Sequence, residues 1–340
     1  MRGRILVTGG AGFIGSHLVD TLVSQGERVT VVDDFSTGSR DNLQEACAQG
    51  DVHIVPGSIL DKEVVNETMQ SCRCVFHLAV ECVRLSLGHP LRNHEVNATG
   101  TLCLLESARR NGIERFVYCS SSEVYGNTST DLLNEDMTLC RPTTVYGAAK
   151  LAGELYTEAY FKTYGLPSIV VRPFNAYGPR AHERGELAEV IPRFLIRVLN
   201  GYPPVIFGDG THGRDFTYVS DVARGLALAG TCDHLVGRRV NIAYGRMIRI
   251  REVAQTIMHA CGRNDLSIEH ASPRPGDVAA LHADTRRAAE ILQYRAEIPF
   301  ADGVSRYVDW FQRHHLDPSG LLEEKIENWK LPDETRLGAV

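Results

Sequence analysis

Residues 5–15 read ILVTGGAGFIG, a short apolar run that breaks into glycines at 9, 12 and 15 and then into a helical pattern. A run of this length suits a buried strand, and Ile14, Leu18 and Leu22 recur at four-residue spacing, as on one face of a helix. Gly9, Gly12 and Gly15 would let the backbone turn tightly, approach a diphosphate and pack helix on strand, while the helix N-terminus offers its N–H groups to the anion. A glycine triplet alone is weak evidence, because an ordinary tight turn has the same composition. Its setting between strand and helix removes most of that ambiguity. The next apolar run, RVTVVD, ends at Asp33, 18 residues beyond Gly15, close to where an acid would hold the ribose hydroxyls of a dinucleotide. Asp33 and Asp34 together would repel a 2′-phosphate, so the expected cofactor is NAD rather than NADP. Asp34 itself reads as a solvated loop residue.

The same rhythm continues through the first half of the chain, in DVHIVPG, CVFHLAV, RFVYCSS and SIVVRPFN, with room for a crossover helix between most runs. Strands buried on both faces look like this, so the expected fold class is α/β: a Rossmann-type doubly wound parallel sheet. Past Asn175 the rhythm breaks, and Gly- and Pro-rich loops separate helices such as EVIPRFLIRVL and IREVAQTIMHAC. A dinucleotide-binding domain is expected over 1–173, with 215–245 returning to it. A smaller, loop-rich substrate part is expected over 174–214 and 246–340, closing a cleft at the carboxyl ends of the strands.

Bulk properties narrow the partners. The 340 residues, 43% hydrophobic and 23% charged, are enough for a full core. A net charge of -6 disfavours nucleic acid and anionic membranes, although a few arginines can still hold an anionic small molecule. Nine cysteines, without a paired CxxC, argue against a metal site and for a reducing cytoplasm. The first apolar run is only three residues long, so neither a secretory leader nor a bilayer span is expected.

Tyr146 and Lys150 lie one helical turn apart in TTVYGAAKLAGELY and so share a face. A phenol is a poor base at neutral pH, but an ammonium about a turn away and a cationic nicotinamide would favour its phenolate. Chance alone gives such a pair at a frequency that is not negligible. What raises it above chance is Ser121, at a strand end 25 residues upstream of Tyr146, where its hydroxyl would reach the same substrate oxygen.

Taken together, TGGAGFIG, VVDDFSTG, FHLAV, VNATGT, SSSEVYG, YGAAK, RPFNAYGPR, GDGTHGRDFTYVSDVA and RPGD make the chain resemble an extended short-chain dehydrogenase/reductase of the NAD-dependent epimerase/dehydratase family. The resemblance covers nearly the whole length. It implies that Ser121, Tyr146 and Lys150 are the catalytic hydroxyl, tyrosine and lysine: Tyr146 takes the proton from the sugar 4-hydroxyl as hydride leaves C4, Ser121 orients that oxygen, and Lys150 tunes Tyr146 and holds the nicotinamide ribose. It implies cofactor contacts from Gly9, Gly12, Phe13, Ile14, Gly15, Asp33, Ser58, Ile59, Leu78 and Asn97. Asn97 is equally compatible with a helix cap. Asn175, Arg180, Arg214, Arg274 and Asp277 are implied as contacts to a UDP-sugar, and the family's usual homodimer is implied as the assembly. One departure is Gly57-Ser58, where the family usually carries Gly-Asp at the adenine.

The loop at 120–126, SSSEVYG, divides the reactions of that family. Dehydratases usually carry Thr-Asp-Glu where this chain has Ser121, Ser122 and Glu123, and without an acid at 122 the elimination lacks its proton donor. UDP-glucuronate decarboxylases resemble the loop more closely, with Thr-Ser-Glu, while 4-epimerases commonly have serines and small residues. The expected activity is a UDP-sugar 4-epimerase, with the hydroxyls at 120–122 holding a C5 carboxylate and so favouring UDP-glucuronate. Decarboxylation assisted by Glu123 is the alternative, ahead of 4,6-dehydration. A non-catalytic NAD(H) sensor on the same fold would have no use for Tyr146 and Lys150.

Overall fold

The computed structural model describes residues 3–128, 132–274, 278–323, 325–327 and 329. Six apolar runs form the strands β1 (Arg4–Thr8), β2 (Val29–Asp33), β3 (Val52–Pro56), β4 (Cys72–His77), β5 (Arg115–Cys119) and β6 (Ser168–Pro173). They pair in parallel in the order β6-β5-β4-β1-β2-β3, and a seventh strand, Arg239–Ile242, adds in parallel beyond β6. The order reverses between β1 and β4, and at such a switch point the strand ends diverge and leave a crevice. β2 is buried throughout, as a strand covered on both faces must be. β3 departs from that expectation and is only partly buried, because it is the edge of the sheet and has a neighbour on one side only.

Helix α1 (Phe13–Ser24) follows β1 directly and packs Leu18, Val19 and Leu22 into the core against the Val219–Thr231 helix. Gly15 has to be glycine here, since a Cβ would sit 2.0 Å from the Gly9 carbonyl oxygen. On the other side of the sheet, the Val145–Tyr164 helix starts at Thr144, whose hydroxyl accepts from Gly147 N–H at 3.1 Å, and stops at Gly165 in the left-handed region.

Beyond β6 the chain builds small sheets rather than one large one. Ala176–Tyr177 pairs with Thr217–Tyr218, Val205–Phe207 with Glu269–Ala271, and Gly213–Asp215 lies between Met247–Arg249 and Ala280–Leu281. The Val190–Leu199, Ile250–Ala260 and Phe300–His314 helices pack on these around a separate apolar cluster that includes Phe194, Ile257 and Phe311. This cluster borders the carboxyl ends of the main strands. No described helix is long and apolar enough to cross a membrane.

Candidate active site

Two cavities meet at those strand ends. The larger, about 300 Å3, runs from the β1–α1 turn to the Tyr146 helix, and the smaller, about 180 Å3, lies among the small sheets. Glu123, Asn175, Arg84 and Glu189 line both, so the two form one continuous cleft.

At one end of the larger cavity stand Gly9, Gly12, Phe13, Ile14 and Gly15, with Asp33 beside them. Asp33 accepts from Ala11 N–H at 2.8 Å and Phe35 N–H at 2.9 Å, fixing the glycine turn to the end of β2. Burial raises its pKa, and those two N–H groups partly oppose the shift. Ser58, Ile59 and Leu78 line the same cavity, and the Ser58 hydroxyl accepts from Leu60 N–H at 3.3 Å. A tight glycine turn at a helix N-terminus, an acid at the end of the second strand and an apolar slot beyond them fit an adenine dinucleotide.

At the other end the strand β5 runs out into Ser120-Ser121-Ser122-Glu123, and all four residues line the cavity. Ser121 caps the short turn Ser122–Val124, its hydroxyl accepting from Glu123 N–H at 3.2 Å, and is the neighbour that favours the Tyr146 phenolate. Gly147 allows this closeness, because a Cβ there would lie 2.8 Å from the Glu123 carbonyl oxygen. Lys150 is 2% exposed; its ammonium donates to the Cys119 carbonyl at 2.6 Å and lies 4.4 Å from the centre of the Tyr118 ring. Burial lowers its pKa to about 8.

The electrostatics correct one expectation. Burial pushes the Tyr146 phenol well above its usual value, and the group that opposes this is Ser121, whereas Lys150 has turned its charge towards Cys119. Without a further cation the phenol is therefore protonated at neutral pH.

The structure brings together Ser121, Ser122, Glu123, Tyr146 and Lys150 with the glycine turn, and it brings Asn175, Arg214 and Arg274 together in the smaller cavity. Asn175 Oδ1 is buried and has no hydrogen-bond partner among the described residues. Three other residues depart from expectation. Asn97 lines neither cavity and is no helix cap; it is buried behind the cleft, where Oδ1 accepts from Glu81 N–H at 3.0 Å and Nδ2 donates to Glu81 O at 2.9 Å. Arg180 also lines neither cavity: with φ at +66° its side chain turns to α1 and pairs with Asp20 at 2.6 Å. Ser120, counted among three cooperating hydroxyls, gives its hydrogen bond to Glu154 at 2.5 Å. Asp277 lies outside the described residues. Arg84, Glu189 and His182 were not singled out in the sequence; only tertiary folding carries them to the cleft, where His182 Nδ1 lies 2.9 Å from Glu189 Oε1.

The fold and site define a dinucleotide-binding enzyme in which Ser121, Tyr146 and Lys150 line one cavity and Arg214 and Arg274 the adjoining one. Residues 5–243 match the NAD dependent epimerase/dehydratase family, and the chain belongs to it. NAD is its cofactor. The chain is 36% identical over 312 residues to a UDP-glucose 4-epimerase of Mycolicibacterium smegmatis, covering 91% of this chain and 98% of that one. It is 34% identical over 331 residues to a UDP-N-acetyl-alpha-D-glucosaminuronate decarboxylase of Bacillus cytotoxicus, covering 93% and 100%. Among solved structures, a UDP-glucuronic acid 4-epimerase mutant from Bacillus cereus, in complex with UDP-4-deoxy-4-fluoro-glucuronic acid and NAD, aligns with a TM-score of 0.86 at 30% identity, covering 92% of this chain and 100% of that one.

Proposed function

We propose that the protein is a UDP-sugar 4-epimerase, with UDP-glucuronate as the first substrate to test. The observation that carries this reading is the cleft itself: Ser121 and Tyr146 line its larger cavity close to Glu123, which lines both cavities, and a buried serine occupies position 122, where elimination would need an acid. Residues 1–173 with 215–245 would hold the cofactor, and 174–214 with 246–340 the nucleotide sugar.

When bound, NAD supplies the reversible oxidation at C4 and a positive charge beside Tyr146. Everything else falls to the chain. Ser121 holds the 4-oxygen and donates to Tyr146, so that the phenol, once the added cation has lowered its pKa, takes the 4-hydroxyl proton and later returns it. Lys150 would hold the ribose next to the nicotinamide. Arg214, Arg274 and Asn175 would grip the diphosphate and nucleotide, leaving the sugar free to turn and present the opposite face of C4 for reduction, after which Tyr146 returns the proton to the 4-oxygen.

Glu123 gives the decarboxylase alternative its support, since it lines both cavities and could assist loss of CO2 from a 4-keto uronate. With Ser120 committed to Glu154, only Ser121 and Ser122 remain to restrain a C5 carboxylate, so UDP-glucose belongs beside UDP-glucuronate in the assay. Incubation with each, with catalytic NAD, followed by NMR of the product, tests the reading. Inversion at C4 with every carbon retained supports it; a pentose plus CO2 replaces it with decarboxylation.

The exposed leucines on three helices that pack together, Leu91, Leu102 and Leu155, support a homodimer through this face.

A further inference from the structure

Tyr146, Lys150 and Glu154 follow one another at four-residue spacing, so they form a stripe along one face of the Val145–Tyr164 helix. The first two face the cleft, whereas Glu154 is fully buried behind it. Its Oε1 accepts from Ser120 Oγ at 2.5 Å and Arg172 Nε at 2.8 Å; Oε2 accepts from Arg172 Nη2 at 2.6 Å and lies 3.4 Å from Arg239 Nε. Ser120 is the neighbour of Ser121 at the end of β5, and Arg172 lies on β6 three residues before Asn175. One carboxylate therefore ties together the catalytic helix and the two strand ends that deliver Ser121 and Asn175. Arg172 is fully buried as well, 4.6 Å from the Tyr125 ring centre; burial disfavours its charge, but the Glu154 hydrogen bonds and the Glu154 charge, with smaller help from Tyr125 and Cys140, together more than restore it.

We propose that Glu154 is a positioning residue for the reaction: clamped by Arg172, its carboxylate fixes the Ser121 strand end against the Tyr146 face and keeps Lys150 an ammonium. The titratable groups around Lys150 are His77 on β4, Tyr118 and Cys119 on β5, and Tyr146 and Glu154 on its own helix. Burial opposes the ammonium, and Cys119 and Glu154 are the two groups that favour it. Burial also pushes the Cys119 thiol up to about 11, so Cys119 is neutral at physiological pH. Glu154 is left as the anion that supports the charge. Tyr118 and Tyr146 are likewise held neutral by burial, and so is His77.

The proposal rests on the epimerase reading only for the role of Lys150, and its main test needs no turnover. The chain has five lysines, so NMR of protein labelled at the lysine ε-carbons can follow Lys150 alone. Glu154→Gln keeps the shape and removes the charge, and the Lys150 midpoint should move to lower pH. A drop of one unit cuts the ammonium fraction at pH 8 about five-fold. Glu154→Asp, which keeps the charge, should bring the midpoint back towards wild type; a purely structural role would move neither. Should Glu154→Gln fail to fold, Ser120→Ala cuts only the link to the Ser121 strand end. It should leave the Lys150 titration in place while lowering kcat several-fold at unchanged KM, on whichever nucleotide sugar is turned over. A folded Glu154→Gln with the wild-type titration, or Ser120→Ala with wild-type kcat, would overturn the proposal.

Discussion

The Lys150 ammonium and the Cys119 carbonyl oxygen lie 2.6 Å apart, which joins the helix bearing Tyr146 to the last residue of β5 at a single buried hydrogen bond. The ammonium is held there against its own preference, since burial lowers its pKa from 10.5 to about 8. Below pH 8 both folded and unfolded chains carry the proton and the penalty is full. Between 8 and 10.5 the unfolded chain binds more protons than the folded one, so this residue's contribution to stability rises with pH. The penalty at neutral pH is on the order of 3 kcal/mol, offset in part by the bond to Cys119. Lys150→Met is therefore expected to melt no lower than wild type at pH 7 while losing about a hundredfold or more in activity. Thermal unfolding of both proteins at pH 7 and at pH 10 checks the sign: wild type should gain on the variant as pH rises.

Glu123 separates two chemistries. If it only shapes the loop through its N–H bond to Ser121, Glu123→Gln keeps 4-epimerisation within a few-fold of wild type. Loss of about a hundredfold or more, the usual share of a general acid or base, would assign it to proton transfer. Product NMR and kcat on the same samples make the comparison.

Gly15→Ala puts a methyl group 2.0 Å from the Gly9 carbonyl oxygen, a contact that α1 can relieve only by moving off the glycine turn. A destabilisation of about 1–3 kcal/mol and a weakened hold on NAD are expected, read by thermal unfolding and by fluorescence titration with NADH.

Leu155, half-exposed on the Val145–Tyr164 helix, is the residue to break the proposed dimer. Leu155→Asp should sediment as a monomer at concentrations where wild type is dimeric. An unchanged sedimentation coefficient would move the interface elsewhere.

Much of the fold was legible because the runs ending at Thr8, Asp33 and Cys119 are apolar on both faces and each stops at the larger cavity. The same local signal misjudged β3, whose run is as apolar but whose place at the sheet edge is a tertiary fact. Arg180 shows the limit within a motif: the right residue at the right position has a backbone at φ +66° and a carboxylate on α1 that draws it away. In sequence Ser120 is one of three adjacent hydroxyls, and nothing local says that it meets Glu154 across 34 residues. Arg84 and Glu189 reach the cleft from segments 105 residues apart, a meeting that no spacing rule anticipates. Glu154 was within reach, since it continues the stripe of Tyr146 and Lys150 by one more turn.

In the proposed reaction one centre oxidises and then reduces the same sugar carbon. UDP-glucuronate and UDP-glucose carrying deuterium at C4, turned over with unlabelled NAD and followed by NMR, test it directly. The expected result is a C4-inverted product that keeps its deuterium at C4 and all its carbons. Deuterium recovered at C6, or a product one carbon short, would contradict it.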